Sequence, residues 1–232
     1  MRLGLAALRT LIWMPFFYGG SVLLVVLAAL VAPLSRPAFV AVVRSWGVWN
    51  RLCARVFLGQ RVRLEGDLPA GPAFFLLKHE DQFETIDMPL LLERPVVFAK
   101  QELFTLPLWG RLAHLYGLIS IERSAGASAL RTMRRAALNA MAQGRPLVLF
   151  PEGTRVPHGE APSIRSGFAG VYKLLGLPVH PVAIDSGRLK RGWIRLPGII
   201  TYRVGEVIPP GLPREEAEAR VHRAINALNG PL

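Results

Sequence analysis

The sequence predicts an α/β domain, a single mixed sheet flanked by helices, carried behind an N-terminal hydrophobic helical segment that anchors it to a membrane. Three observations carry that prediction. Short apolar runs with the length of strands alternate with longer runs of helical period. Several of the short runs stop abruptly at a charged residue, as strands do where an α/β sheet opens into loops. No charged residue occurs between Thr10 and Ser35, and Leu23 to Val31 is almost purely aliphatic. At 232 residues the chain suits one domain with an appendage. We divide it into a membrane-associated helical segment, 1–59, and an α/β domain, 60–232.

The uncharged stretch is long enough to span a bilayer. Pro15 and Gly19-Gly20 interrupt it, so a short helix followed by a longer one is also compatible, as is a re-entrant hairpin. Arginines flank it on both sides, so charge gives no orientation. A cleaved leader is disfavoured because the apolar region starts late, runs long and lacks a small-residue cleavage site. In 36–59, Phe39, Val40, Val43, Trp46, Trp49, Leu52, Val56 and Phe57 recur at three and four, with Arg44, Arg51 and Arg55 on the flank. This amphipathic helix suits either a lipid interface or a packed core.

Arg61 to Glu65 alternates as a first strand, and Asp67 to Pro72 forms a turn. Ala73 to Lys78 is a second strand, followed by a short helix reaching about Glu93. Pro95 to Lys100 is a strand, Leu106 to Tyr116 a helix, and Gly117 to Glu122 a strand ending at Arg123. Ser124 to Gln143 reads as a helix with Leu130, Met133, Ala137 and Met141 inward and Arg131, Arg134 and Arg135 outward. Pro146 to Phe150 is the strongest strand. Ser163 caps a helix that stops at Gly176. Strands at Pro178 to Ile184 and Ile199 to Ile208, then an amphipathic helix from Arg214 to Asn229, complete the domain.

Lys and Arg total 28 against 16 Asp and Glu, a formal charge of +12. Such an excess suits nucleic acid or an anionic membrane. The 51% hydrophobic content favours the membrane, and no zinc-finger spacing or aromatic RNA-binding motif supports nucleic acid. The single Cys53 excludes an internal disulfide and any CxxC motif, and reads as packing.

Chemistry concentrates where the second strand ends: Phe74 Phe75 Leu76 Leu77 Lys78 His79 Glu80 Asp81 Gln82 Phe83 Glu84 Thr85 Ile86 Asp87. A neutral imidazole can take a proton from a hydroxyl, and does so best when a carboxylate accepts from its other nitrogen. His79 with Glu84 is the preferred pair; Asp81 and Asp87 are rival partners that spacing leaves open. Strand Leu147–Phe150 runs into Pro151 Glu152 Gly153 Thr154 Arg155, where glycine permits a sharp turn and the guanidinium offers a fork suited to phosphate. Two other strands end in Lys100 and Arg123, so three cations and His79 can converge on one anionic group.

These blocks resemble the 1-acyl-glycerol-3-phosphate acyltransferases of the glycerolipid acyltransferase superfamily. The resemblance rests on His79 followed, after four intervening residues, by Glu84, on Gly117 Leu118 Ile119 Ser120 Ile121 Glu122 Arg123, on Phe150 Pro151 Glu152 Gly153 Thr154 Arg155, and on Leu177 Pro178 Val179 His180 Pro181 Val182 Ala183. It covers about residues 60–190. Glu84 stands where aspartate is commoner, and Glu122-Arg123 where Asp-Arg is more usual.

The resemblance implies transfer of a fatty acyl chain from acyl-CoA or acyl carrier protein to the sn-2 hydroxyl of lysophosphatidic acid, giving phosphatidic acid. His79 would be the base and Glu84 its orienting partner. Arg155, Lys100 and Arg123 would hold the acceptor phosphate, with Glu152, Gly153 and Thr154 shaping the loop. No cofactor or metal is implied. The expected partners are the acyl donor, the lysophospholipid acceptor and membrane lipids, at a bacterial inner membrane on its cytoplasmic side. The alternatives are an acyltransferase for another lyso-lipid such as lyso-ornithine lipid, a metal-dependent hydrolase lacking a second His cluster, and a membrane lipid-binding module. His158 lies in the loop after Arg155, where contact with a ligand is the lesser expectation; His114, His180 and His222 read as structural.

Overall fold

A computed structural model of the chain describes residues 3–121 and 127–230. Helix α1, Leu3–Val31, runs unbroken through Pro15 and the Gly19-Gly20 pair. Its Leu- and Ala-rich sequence favours helix on either side of the one proline, and its 29 residues make it about 43 Å long. Only a stripe of it is buried: Ala6, Thr10, Trp13, Phe17, Ser21 and Ala28. The buried hydroxyls of Thr10 and Ser21 donate to Ala6 O and Phe17 O within the helix, at 2.8 and 2.7 Å. Leu8, Leu11, Phe16, Leu23 and Leu30 lie exposed on the other side.

Ser35 caps helix α2, Arg36–Cys53, accepting from Ala38 N at 3.3 Å. The chain then widens into one π-helical turn, Ala54–Leu58, and stops at Gly59 with φ +70°. The helix foreseen over 36–59 is therefore two pieces. Its buried face, Phe39, Gly47, Asn50 and Cys53, packs inward, so α2 serves as a core-packing helix while Val48 and Leu52 stay exposed. Gly20 of α1 lets the hairpin close, because a Cβ there would lie 2.4 Å from the Trp49 ring. Cys53 is buried with Trp13, Phe17 and Leu58, in the packing role its surroundings predict.

The remaining elements are β1 (Gln60–Glu65), β2 (Phe74–Leu77), α3 (Phe83–Leu91), β3 (Val96–Lys100), α4 (Gln101–Phe104), α5 (Trp109–Tyr116), β4 (Ile119–Ile121), α6 (Ala127–Ala142), β5 (Leu147–Leu149), α7 (Ser166–Leu175), β6 (Val179–Ile184), a 3-10 turn (Ser186–Leu189), β7 (Lys190–Arg191), β8 (Ile194–Arg195), β9 (Gly198–Val204) and α8 (Arg214–Ile225). Seven strands form one mixed sheet in the order β1-β9-β6-β2-β5-β3-β4; β7 and β8 make a separate hairpin. β6, β2, β5, β3 and β4 run parallel, β9 is antiparallel to β6, and β1 is parallel to β9. The parallel strands thus bring their C-terminal ends to one edge.

Central β2 is buried on both faces, which explains its uninterrupted Phe-Phe-Leu-Leu. Phe74 and Leu76 face a core with Met133, Phe168 and Val221, from α6, α7 and α8. Phe75 and Leu77 face another with Ala54, Phe83 and Met88, from the π turn and α3. Along α6, Met133 and Ala137 are buried and Arg131, Arg134 and Arg135 exposed, as their spacing predicts.

Several boundaries differ from expectation. α5 begins at Trp109 rather than Leu106. α7 begins at Ser166, not near Ser163, with Arg165 in extended conformation at its N-cap and no side-chain cap bond. Its end at Gly176, left-handed at φ +62°, is where the sequence places it. β9 stops at Val204, and Ile208 instead forms an isolated bridge with Val179. α8 ends at Ile225, which frees Asn226 for another task.

Candidate active site

β2 delivers Lys78 and His79 to the sheet edge, and α3 starts four residues later with Glu84 in its first turn. A carboxylate there is favoured by the helix dipole. Glu84 Oε1 accepts from the backbone N–H of Glu80 and of Asp81, both at 2.7 Å, and lies 2.9 Å from His79 Nδ1. Oε2 accepts from Ser186 Oγ at 2.8 Å. Because the carboxylate only accepts, Nδ1 carries the proton and Nε2 is left with a free lone pair. The imidazole leans on Phe150, with ring centres 4.4 Å apart, and remains partly open to solvent while Glu84 is fully buried.

The rival acids are engaged elsewhere. Asp81 is bonded by Arg195 of β8. Burial pushes its carboxyl up, but the Arg195 bond and charge outweigh burial and hold it below the usual range. Asp87 takes the guanidinium of Arg51 at 2.6 and 2.9 Å. There burial wins over Arg51, and the carboxyl lies above its ordinary value.

Behind the imidazole lies a charged network that sequence reasoning missed. Lys78 is fully buried, and its Nζ donates to Glu152 Oε1 at 2.7 Å, Asn226 Oδ1 at 2.7 Å and Glu160 O at 2.9 Å. Glu152 Oε2 accepts from the backbone N–H of His79 at 2.9 Å, and His79 O accepts from Val156 N at 2.7 Å. The loop after β5 therefore holds both backbone polar groups of His79. Glu152 is buried, its carboxylate taken up by Lys78 and the His79 backbone rather than turned out to the sheet edge. The missed signal was Lys78 itself: an ammonium directly after four buried residues needs buried partners.

Glu80 is a third buried acid of the turn, beside Asp81 and Glu84. Its Oε2 accepts from Gly187 N at 2.7 Å, and its Oε1 lies 3.0 Å from His158 Nδ1. Burial raises its pKa to about 8 despite the Gly187 bond, and burial lowers that of His158. Two successive residues after β6, Ser186 and Gly187, thus clamp two acids of one turn. Gly187 fits closely, since a Cβ there would lie 3.0 Å from Glu80 Oε2. The other histidines are occupied structurally: His114 packs on Phe104, His180 on Phe75, and His222 Nε2 is 3.0 Å from Ala161 O.

A histidine–carboxylate pair thus sits where the parallel strands end, beside a loop that carries the exposed Arg155. The sequence profile of the acyltransferase family matches residues 60–185, which include both halves of this site. The chain belongs to the acyltransferase family. It is 29% identical over 229 residues to the 1-acyl-sn-glycerol-3-phosphate acyltransferase of Pseudomonas aeruginosa, covering 96% of this chain and 86% of that protein. It is 36% identical over 141 residues to the lyso-ornithine lipid O-acyltransferase of the same organism, covering 60% of this chain and 52% of that one. The fold is similar to the crystal structure of the 1-acyl-sn-glycerophosphate acyltransferase from Thermotoga maritima, with a TM-score of 0.72 at 21% identity, over 98% and 99% of the two chains.

In this acyltransferase Lys100 ends β3, and Thr154 and Arg155 follow β5, all exposed at the edge that bears His79. Phe74 of β2 and Val96 of β3, each four residues before its strand's lysine (Lys78 and Lys100), pair with the same residue of β5, Leu147. Among the described residues neither Lys100 nor Arg155 has a carboxylate partner. Gly153 turns the loop with φ +64°. Arg123 lies outside the described residues. An apolar cavity of about 180 Å³ lies between α1, α2, α3, α5 and β3, lined by Val25, Phe39, Trp46, Met88, Leu112 and Tyr116. Thr85 and Ile86, next to Glu84, also border it.

Proposed function

We propose that this acyltransferase moves a fatty acyl group from an acyl-CoA or acyl carrier protein thioester to the sn-2 hydroxyl of lysophosphatidic acid, forming phosphatidic acid. The observation that carries the reading is the His79 Nδ1–Glu84 Oε1 bond of 2.9 Å, which leaves Nε2 as a base at the sheet edge. His79 Nε2 takes the hydroxyl proton as the oxygen attacks the thioester carbonyl. The tetrahedral intermediate collapses by breaking the C–S bond, and the imidazolium returns its proton to the departing thiolate. Glu84 holds the tautomer and stabilises the imidazolium between these steps.

Arg155, Lys100 and Arg123 hold the acceptor phosphate, while Gly153 and Thr154 shape the loop and Glu152 anchors it from behind. Lys100 and Arg155, exposed and without a carboxylate partner among the described residues, support a phosphate-bearing acceptor. The apolar cavity beside Thr85 and Ile86 suits an acyl chain. Residues 1–59 seat the enzyme on a membrane, on the cytoplasmic side of a bacterial inner membrane, and 60–232 form the acyltransferase domain. Support comes from α1, whose apolar length suffices to cross a bilayer and whose flank is largely exposed.

Thiol release from acyl-CoA and from acyl carrier protein, with and without lysophosphatidic acid, tests the reading. Acceptor-dependent release should fall to background in His79→Ala. Full activity in that variant overturns the assignment of the base. The identity to a lyso-ornithine lipid O-acyltransferase favours a second acceptor, one without phosphate. Turnover of lyso-ornithine lipid but not lysophosphatidic acid, unaffected by Arg155→Ala, would select it.

A further inference from the structure

The hairpin β7–β8 stands apart from the main sheet and carries Arg195, which belongs to none of the family motifs. Its guanidinium forks onto Asp81 in the catalytic turn: Nη1 bonds Oδ2, and Nη2 donates to Oδ1 at 3.2 Å. The same group lies over the Trp13 ring of α1, 4.9 Å from its centre. The backbone N–H of Arg195 donates to Thr10 Oγ1, again on α1, at 3.0 Å. One residue therefore touches both the apolar N-terminal helix and the turn that carries the histidine pair.

The contact is withdrawn from water, with the Arg195 side chain 13% exposed and that of Asp81 2%. Both a charge-assisted fork and a cation–π contact gain strength under those conditions. From Asp81 the path to the base is one peptide long, because the Asp81 N–H is among the donors that fix Glu84 Oε1. At the other end, Trp13 stacks on Phe17, with ring centres 4.8 Å apart, inside the buried stripe of α1. The neighbouring Leu8, Leu11, Ile12 and Phe16 are exposed and apolar.

We propose that Arg195 is a positioning residue that couples the seating of the apolar helix α1 to the aim of the His79–Glu84 pair. The proposal rests on the acyl-transfer reading of that pair. Arginine suits the place because it can hold both carboxylate oxygens and stack on a ring at once; lysine offers only a point charge. Loss of the fork releases Asp81, tilts its N–H away from Glu84 and misdirects the base. The phosphate-binding loop, held separately through Glu152 and Val156, is untouched. The effect therefore falls on kcat rather than on acceptor affinity.

Arg195→Met should lower kcat about ten- to hundredfold, the scale of an ångström-sized misplacement, with acceptor KM changed less than about twofold. Arg195→Lys should recover part of the loss. Trp13→Leu and Asp81→Asn, which meet through Arg195, should combine non-additively in kcat in the native background and additively beside Arg195→Met. Amide exchange supplies a readout independent of turnover. In Arg195→Met and in Trp13→Leu, residues 79–84 should exchange about tenfold faster while 147–149 in β5 stay protected. Unchanged exchange at 79–84 in Arg195→Met overturns the proposal, as does equal loss of protection in β5, which would make the pair a brace of the whole fold. Were lysophosphatidic acid not turned over by the native enzyme, the functional reading would fail while the exchange data still decided the positioning role.

Discussion

Replacing Glu84 with glutamine separates the charge of this carboxylate from its hydrogen bonds. Oε1 receives two backbone N–H groups at 2.7 Å and sits 2.9 Å from His79 Nδ1. An amide NH2 at that position would face those fixed donors, so the glutamine oxygen must take it. The NH2 then points at Ser186 Oγ, which can rotate to accept. Tautomer and ring orientation survive; only the negative charge is lost. Two unit charges about 4 Å apart attract by about 4 kcal/mol at an effective dielectric constant near 20. In the proposed mechanism the imidazolium forms as the hydroxyl proton is taken, so that loss falls on kcat, by about three orders of magnitude. Thiol release at saturating substrates measures it, with thermal unfolding as a control for folding. A kcat within about tenfold of the native enzyme would refute the electrostatic role assigned to Glu84.

Two further substitutions test the buried network around the site. Lys78→Met leaves the Glu152 carboxylate buried without its cation, a loss of about 3–5 kcal/mol that should lower the thermal midpoint by about 10 °C. Adding Glu152→Gln should restore part of it, and an unchanged midpoint in Lys78→Met would contradict the network. Glu80→Gln tests linkage: with a folded pKa of about 8 against an ordinary 4.5, Glu80 keeps a proton that the unfolded chain has released. Its stabilising contribution is complete below the unfolded pKa and disappears as pH rises through the folded one. Thermal midpoints taken between pH 7 and 8.5, above the range where His158 titrates, should fall in the native enzyme and level off in Glu80→Gln.

What the sequence disclosed follows from what local chemistry can encode. β2 was legible because a run of only four large apolar residues, cut off by charges, is too short for a helix and suits a strand buried on both faces. The turn at His79 was legible because an apolar run ends there in acids, and Gly176 because a left-handed cap favours glycine. Partners were not legible, because they come from far along the chain. Lys78 is 74 residues from Glu152 and 148 from Asn226, and Glu84 is 102 from Ser186. The start of α7 was misplaced because Ser163 looks like a cap, whereas the actual N-cap, Arg165, makes no side-chain cap bond. The end of β9 was overrun because Ile208 continues the apolar pattern yet pairs with Val179 as a separate bridge.

The two motifs do more building than binding. Of their ionisable residues, Lys78, Glu80, Asp81, Glu84, Asp87 and Glu152 are all buried, and only His79 and Arg155 look outward. Each buried acid has a partner from a different element: Glu84 and Glu80 take Ser186 and Gly187 after β6, Asp81 takes Arg195 of β8, Asp87 takes Arg51 of α2, and Glu152 takes Lys78, itself tied to Asn226 beyond α8. Desolvating so many charges is costly, and apolar residues of similar volume would often hold a fold equally well. What apolar packing does not supply is direction. A carboxylate bonded by donors of fixed geometry cannot shift by half an ångström without losing one of them, and proton transfer from a hydroxyl to Nε2 depends on distances of that order. If His79 is the base, as proposed, the second partner of each acid sets its precision, and substitutions at Ser186, Arg195 or Lys78 should damage turnover although none of these side chains needs to meet the substrate.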